Sequence, residues 1–270
     1  SPDLTKNETE KLGPGGGPYT NEAAGGENYN TITALVESQH EEGVLYAGTD
    51  DGLLHITKDG GASWEDITPK EIPDGIINSI DISAHDPAIA YVVVMRYKSL
   101  DLNSYVFKTS DYGQSWTKIV NGLDDPNGFV RVVRADKKRA GLLYAGTETG
   151  LYVSNDDGAF WQRLNLNLPV VAINDLVIQD NDLVAATSGR GFWILDDLGV
   201  LQNMTLENQS LVLFPPKDQY RIFGGRSKAV GQGLNPPRGV TFDYYLDEDA
   251  GERELRLDVL QGGQVIRSYT

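Results

Sequence analysis

The sequence predicts an all-β fold: about four β-propeller blades, part of a larger ring, followed by the start of an immunoglobulin-like β-sandwich. Three observations predict it. An octad of the form [ST]-x-D-x-G-x-x-W occurs at Thr57–Trp64, Thr109–Trp116 and Ser154–Trp161. Each octad follows two β-rich runs joined by a turn or short insertion, which is the pattern of a hairpin. The repeat region shows no helical periodicity, and repeats of this length built from short strands are typical of propeller blades.

Each predicted blade has four antiparallel strands. The first strands are NTITALVES, INSIDISAH, FVRVVRAD and INDLVIQD. Hairpins such as VLYAGTDDGLLHIT supply the second and third strands, and WEDIT, WTKIV and WQRLN supply the fourth. The fourth unit, DLVAATSGRGFWIL, keeps only the octad remnant ILDDLGVL.

The octad residue types suit a structural role at the turn between the third and fourth strands. A short Asp side chain accepts hydrogen bonds from the N–H groups of its own turn. Glycine adopts positive φ, and the Trp ring is expected to be buried between blades. The predicted structural residues are Asp59, Gly61, Trp64, Asp111, Gly113, Trp116, Asp156, Gly158 and Trp161.

The pattern changes near residue 211. Residues 1–210 are expected to form the blades of a partial propeller. Residues 211–270 alternate around DEDAGE and QGGQ turns, which predicts a β-sandwich, but a complete sandwich takes about 100 residues. The opening SPDLT resembles WEDIT and is expected to belong to a preceding blade. The chain is therefore expected to be a piece of a longer protein, with a chain completed by oligomerisation as the alternative.

Composition narrows the function classes. The chain has 39 acidic and 23 basic residues and a net charge of −16, which disfavours nucleic-acid binding. Cysteine is absent, and no apolar stretch approaches the roughly 20 residues of a membrane helix. His40, His55 and His85 lie at different blade positions without metal-ligand spacing. We expect no cofactor and no metal.

The first strand of each propeller blade lines a central channel. The loops at one end of this channel are the expected binding site. Asp50, Asp51 and Glu148 lie in these loops and are candidates for the carboxylate pair that glycoside hydrolysis requires. The candidate ligand-binding residues are Tyr29, Asn30, Asn78, Arg131 and Arg190. A Gly-rich stretch at 11–30 is either a flexible connection or a loop that covers a ligand, with Tyr19, Glu22, Glu27 and Tyr29 facing the channel.

The octads resemble the Asp-box, or bacterial neuraminidase repeat, of sialidases, sortilin-type receptors, xyloglucanases and photosystem assembly propellers. Longer stretches, such as TDDGLLHITKDGGASW, resemble large secreted bacterial proteins described as sortilin-like or glycosyl-hydrolase-like repeat proteins. The third octad departs from the pattern at Phe160, where Ser or Thr is usual. The resemblance covers roughly residues 1–214 and implies a fold more strongly than an activity.

The function expected from these observations is a non-catalytic recognition scaffold, secreted, periplasmic or at a bacterial cell surface. It would bind a protein or a polysaccharide through the channel mouth. The remainder of a longer polypeptide or companion chains would complete it. The alternative is a glycan-active hydrolase, xyloglucanase-like or sialidase-like, with carboxylates at the mouth. A third possibility, an assembly factor, requires a basic surface that the acidic composition disfavours.

Overall fold

A computed structural model describes residues 2–11, 29–72, 74–204, 210–219, 239–247 and 254–270. The chain divides into two compact units, Ser1–Leu198 and Gly199–Thr270. This division lies ahead of the predicted boundary at 210/211. Both units are built from β-strands, and no helix in the described ranges has the length and apolar character needed to cross a bilayer.

The first unit is a series of propeller blades, as predicted. Blade 1 contains β1 (Ile32–Glu37), β2 (Leu45–Thr49), β3 (Leu54–Thr57) and β4 (Glu65–Asp66). Blade 2 contains β5 (Ile76–Ile82), β6 (Ala90–Arg96), β7 (Asp101–Thr109) and β8 (Thr117–Lys118). Blade 3 contains β9 (Val130–Ala135), β10 (Leu143–Thr147), β11 (Leu151–Ser154) and β12 (Gln162–Arg163). Each is an antiparallel sheet with its strands in sequence order.

Blade 4 differs from the other three. It contains β13 (Ile173–Gln179), β14 (Asp182–Thr187) and β15 (Phe192–Leu195), and no fourth strand is seen in the described part of the chain. The octad remnant leads instead into the short helix α1 (Gly199–Asn203). Asp197 and Gly199 keep the Asp-x-Gly spacing of the octad, but Leu195 stands at the position of its hydroxyl residue and Gln202 at the position of its tryptophan.

The blades pack on one another through their apolar faces. One cluster joins blade 1 to blade 2, and a second joins blade 2 to blade 3. Ile77 of β5 lies so close to Gly48 of β2 that a Cβ on the glycine would meet Ile77 Cγ2 at 2.2 Å. Ile173 of β13 lies against Gly146 of β10 in the same way, at 2.6 Å. Glycine on the second strand of one blade therefore allows the first strand of the next blade to approach closely.

The octads form nearly superimposable turns. Asp59 Oδ1 accepts the Ser63 N–H at 2.9 Å and the Thr57 hydroxyl at 2.7 Å. Asp111 and Asp156 accept the equivalent pairs at the same two distances. At Asp59, the bonds from Ser63 favour the ionised carboxylate and lower its pKa to about 2.

Two of the octad tryptophans, Trp116 and Trp161, connect their blade to the preceding one. Trp116 Nε1 donates to Ile67 O at 2.8 Å, and Trp161 Nε1 donates to Ile119 O at 2.9 Å. Gly113 and Gly158 lie against Ile67 and Ile119, and a Cβ at either glycine would approach the isoleucine Cδ1 to 2.5 Å. Both glycines also have φ near +87°. At these two octads, glycine is required both by its backbone conformation and by this contact.

The second unit contains α1 and two antiparallel strand pairs among its described residues. β16 (Leu211–Leu213) pairs with β17 (Tyr244–Leu246), and β18 (Leu257–Gln261) pairs with β19 (Gln264–Tyr269). These antiparallel pairs agree with an all-β unit. The immunoglobulin-like sandwich stays a prediction.

Candidate functional site

We call the first strand of each blade its inner strand. The inner strand begins, and the second strand ends, at the same edge of the blade, which we call the mouth edge. The strand pairing defines it, because Ile32 is opposite Thr49, Val130 opposite Thr147 and Ile173 opposite Thr187. One main-chain bond recurs there: the N–H groups of Asp50, Glu148 and Ser188 donate to the carbonyls of Thr31, Phe129 and Ala172 at 2.9–3.2 Å. The predicted site loops therefore occupy equivalent positions.

Asp50 and Asp51 both have partners within this edge. Asp50 accepts the Thr31 N–H at 2.9 Å and the Thr31 hydroxyl at 3.0 Å, and burial raises the pKa of its carboxyl. Asp51 is buried, accepting the Thr49 hydroxyl at 2.5 Å and the Lys6 N–H at 2.7 Å. Asp50 thus joins the start of β1 to the loop after β2, and Asp51 joins the end of β2 to the main chain at Lys6.

Glu148 belongs to a linked group of four side chains. It forms an ion pair with Arg131, whose guanidinium carbon lies 5.6 Å from the centre of the Phe129 ring. Tyr97, in the 3₁₀ turn after β6, stacks on Phe129 with ring centres 5.9 Å apart and planes 7° from parallel. Phe129 is buried, whereas Tyr97 is 37% exposed. We call these four residues the mouth cluster.

Sequence reasoning placed Arg131 and Glu148 in this region but did not connect them, and it missed Phe129. The signal was the aromatic residue directly before the inner strand. Tyr97 lies between β6 and β7 and was not among the candidate residues. Its stacking partner comes from the next blade, which is why spacing along the chain did not reveal it.

Each inner strand carries a bulge just inside the mouth edge. The bulged residues are Thr33, Asn78, Arg131 and Asn174. Thr33 Oγ1 donates to Ile77 O at 2.9 Å, and Asn78 Nδ2 donates to Arg131 O at 2.7 Å. Pairing thus places Thr33, rather than Asn30, at the position equivalent to Asn78. A β-bulge redirects a side chain, and here it reaches the neighbouring blade.

The remaining candidates are separated. The Tyr29 hydroxyl donates to Glu8 at 3.2 Å, and Asn30, at φ +65°, accepts the Glu8 N–H at 3.3 Å. Arg190 is exposed between Gly189 and Gly191 in the β14–β15 turn. Tyr19, Glu22 and Glu27 lie outside the described residues. The ligand-binding assignments stay predictions.

A polar network deeper along the inner strands was not predicted. Arg134 donates to Ser79 Oγ at 2.8 Å and to Asp175 at 2.7 Å, which links three blades. Asp81 accepts the Ala135 N–H at 2.8 Å, but burial raises the pKa of its carboxyl to about 6. Acidic and basic side chains therefore alternate from Asp81 of β5 to Arg134 of β9 and Asp175 of β13.

The histidines do not converge. His40 and His85 each contact a main-chain carbonyl of the following blade, Ser83 O at 3.0 Å and Asp136 O at 2.9 Å. Within the described ranges, no group of three or more His, Cys, Asp or Glu residues is arranged to hold a metal ion.

No protein-family model matches the chain, and no curated protein matches it. Solved structures do show similarity. YCF48 bound to a D1 peptide is 22% identical over 61% of this chain and 51% of its own, with a TM-score of 0.47. The GH74 xyloglucanase from Xanthomonas campestris is 14% identical over 60% and 29%, also with a TM-score of 0.47. YCF48 from Cyanidioschyzon merolae is 18% identical over 62% and 53%, with a TM-score of 0.46.

The chain therefore spans about half of the YCF48 structures and less than a third of that hydrolase. Similarity at this level of identity and superposition does not extend to a shared activity.

Proposed function

We propose that the mouth edge is a non-catalytic recognition surface for a protein or a polysaccharide, and that the octads are Asp-box repeats which hold it. The observation that supports this proposal is the mouth cluster. An exposed aromatic ring on a buried aromatic support is pre-organised for stacking on a flat ligand group. Little conformational entropy is then lost on binding.

The partners of the carboxylates support a binding role over catalysis. Asp50 accepts a hydrogen bond from Thr31, and Asp51 accepts one from the Lys6 N–H. Glu148 forms an ion pair with Arg131. A pair of catalytic carboxylates instead flanks a substrate bond, about 5–10 Å apart, with room for water or a sugar ring. Using these groups for catalysis would cost the contacts that position the loops.

Binding can be tested with a panel of immobilised xyloglucan, sialylated oligosaccharides and an unbiased peptide library. We expect Tyr97→Ala to weaken binding to whichever probe the protein retains by at least about tenfold, because aromatic anchors dominate recognition surfaces. Phe160→Ala is the matched control, since it removes an exposed aromatic ring from the third octad, away from the mouth edge. Equal affinities for the Tyr97 variant and the unchanged protein would contradict the proposal.

The alternative function, a glycan-active hydrolase, is favoured by one observation. Burial raises the pKa of Asp50, as a general acid requires. Turnover of xyloglucan or a sialoside that disappears in Asp50→Asn but not in Phe160→Ala would establish it. Release of no product from either substrate would contradict it.

We further propose a secreted, periplasmic or cell-surface location and a sandwich-like second unit, both on the resemblance to secreted repeat proteins. Fractionation of source cells tests the first, and a cytoplasmic pool would contradict it. A high-resolution structure of residues 199–270 in the full chain tests the second.

A further inference from the structure

The blade stack leaves two apolar faces uncovered among the described residues. We call the side of a blade that faces the next blade its front and the opposite side its rear. On the front of blade 3, Leu151 and Val153 are 5% exposed. Strand pairing places Phe192 and Ile194 at the equivalent positions of blade 4, where they are 78% and 58% exposed. Blade 4 thus presents a front face of the kind that is buried between the other blades.

The rear of blade 1 is the complementary surface. Ile32 and Leu35 are 49% and 59% exposed, whereas the equivalent Ile77 and Ile80 on the rear of blade 2 are 0% and 4% exposed. Trp64 Nε1 is buried and has no hydrogen-bond partner among the described residues, although the two other octad indoles bond to the preceding blade. This face has the apolar pattern of a blade joint, but not the indole bond that the other joints have.

The strands of blade 4 also indicate an incomplete joint. Blade 4 has three strands, and β15 pairs only with β14 in the described part of the chain. Residues 3–5 reproduce the end of an outer strand. Thr5 donates its N–H and hydroxyl to Asp3 at 2.9 and 2.7 Å, as Thr68 does to Asp66 at 2.9 and 2.6 Å. Leu4 is buried like Ile67. Residues 3–5 therefore match the end of the outer strand that is not seen in the described part of blade 4.

We propose that the front of blade 4 docks on the rear of blade 1 of a second copy of this chain. Residues 2–5 of the second copy then become the fourth strand of blade 4 of the first copy. A second copy is the partner for which both halves of the joint are visible. The known pairs are His55 with Asp66 and Ile56 with Glu65. Their equivalents are Trp193 with Asp3 and Ile194 with Pro2.

Covering Phe192, Ile194, Ile32 and Leu35 removes apolar surface from water, which drives the association. Each joint joins a front to a rear, so the contact is heterologous. This proposal is independent of the mouth edge and of what binds there.

Charge substitutions on each face test the joint. Ile194→Asp breaks the front and Leu35→Asp breaks the rear, so each variant alone is expected to sediment as a monomer. An equimolar mixture has one intact joint per pair and is expected to form a heterodimer. Leu100→Asp, on an exposed turn at φ +58°, is the control and should associate like the unchanged protein, as a dimer or larger species.

Far-UV circular dichroism of each variant verifies that the blades remain folded. A monomeric unchanged protein at the highest soluble concentration would overturn the proposal. So would two face variants that associate like the Leu100 control.

Engineered cysteines test the strand pairing. The chain has no cysteine, so Pro2→Cys and Ile194→Cys each introduce a single thiol. Facing residues of antiparallel strands are about 4.5–5.5 Å apart, within disulfide range. Mixing the two single variants under oxidising conditions should give a cross-linked heterodimer on a non-reducing gel, with little cross-linking in either variant alone. No enrichment of that band in the mixture would overturn the proposed pairing.

Discussion

The outer rim and the inner strands of the same blades follow opposite rules. At the rim, the three octads repeat one set of hydrogen bonds to within 0.1 Å. Along the inner strands, the bulge position holds a different residue in nearly every blade: Thr33, Asn78, Arg131 and Asn174. Repetition therefore marks the part of the blade that builds the fold. Variation marks the strand ends at the mouth edge, where recognition is proposed.

The largest test of this comparison is removal of a rim tryptophan. Trp161 is 1% exposed and bonds to the preceding blade, so Trp161→Ala should lower the free energy of unfolding by about 3–5 kcal/mol. Trp64 is only partly buried and lacks that bond, so Trp64→Ala should cost less. Urea denaturation followed by far-UV circular dichroism, at one protein concentration, measures both. Equal losses would show that the rim positions are not coupled through the blade joints.

A substitution on an inner strand should instead raise the free energy of unfolding. Burial of Asp81 raises its pKa to about 6 from 3.8, so the folded state resists the ionised carboxylate at neutral pH. Asp81→Asn keeps an oxygen for the Ala135 N–H and should stabilise the protein at pH 7 by about 1–3 kcal/mol.

The sign depends on pH. A raised carboxyl pKa opposes folding fully above about pH 6, and this cost disappears as the pH falls to about 4. The gain from Asp81→Asn should therefore vanish between these values. A gain of the same size at pH 4 and pH 7 in thermal melts would rule out carboxylate burial as its cause.

The smallest predicted effect is a difference in stability cost between two octads. Asp111 accepts bonds from Thr109 and from both the N–H and the hydroxyl of Ser115, so Asp111→Ala should cost about 1–2 kcal/mol. Asp156 faces Phe160, which has no hydroxyl, so Asp156→Ala should cost less. The bonds from Ser115 lower the pKa of Asp111, so its contribution is complete above about pH 4 and is lost as acid protonates it. Acid titration of both variants checks the order.

Some of the candidate site could be predicted from the sequence. Asp50, Arg131 and Glu148 lie at the expected edge because hairpin turns are encoded by local Gly and Asx residues. Their partners were not predictable. Arg131 bonds within its blade, Tyr97 stacks across a joint, and Lys6 reaches Asp51 from far along the chain.

The sequence by itself determined the all-β class, the blade repeat and the octad turns, because each depends on residues within about ten positions of one another. Only the tertiary structure decided which groups meet: Thr33 with Ile77, Arg134 with Asp175, and Tyr97 with Phe129. It also decided that Phe192 and Leu35 remain uncovered while their equivalents are buried. The physical reason is that burial and pairing between blades depend on how whole sheets pack, and no local pattern in the chain carries that information.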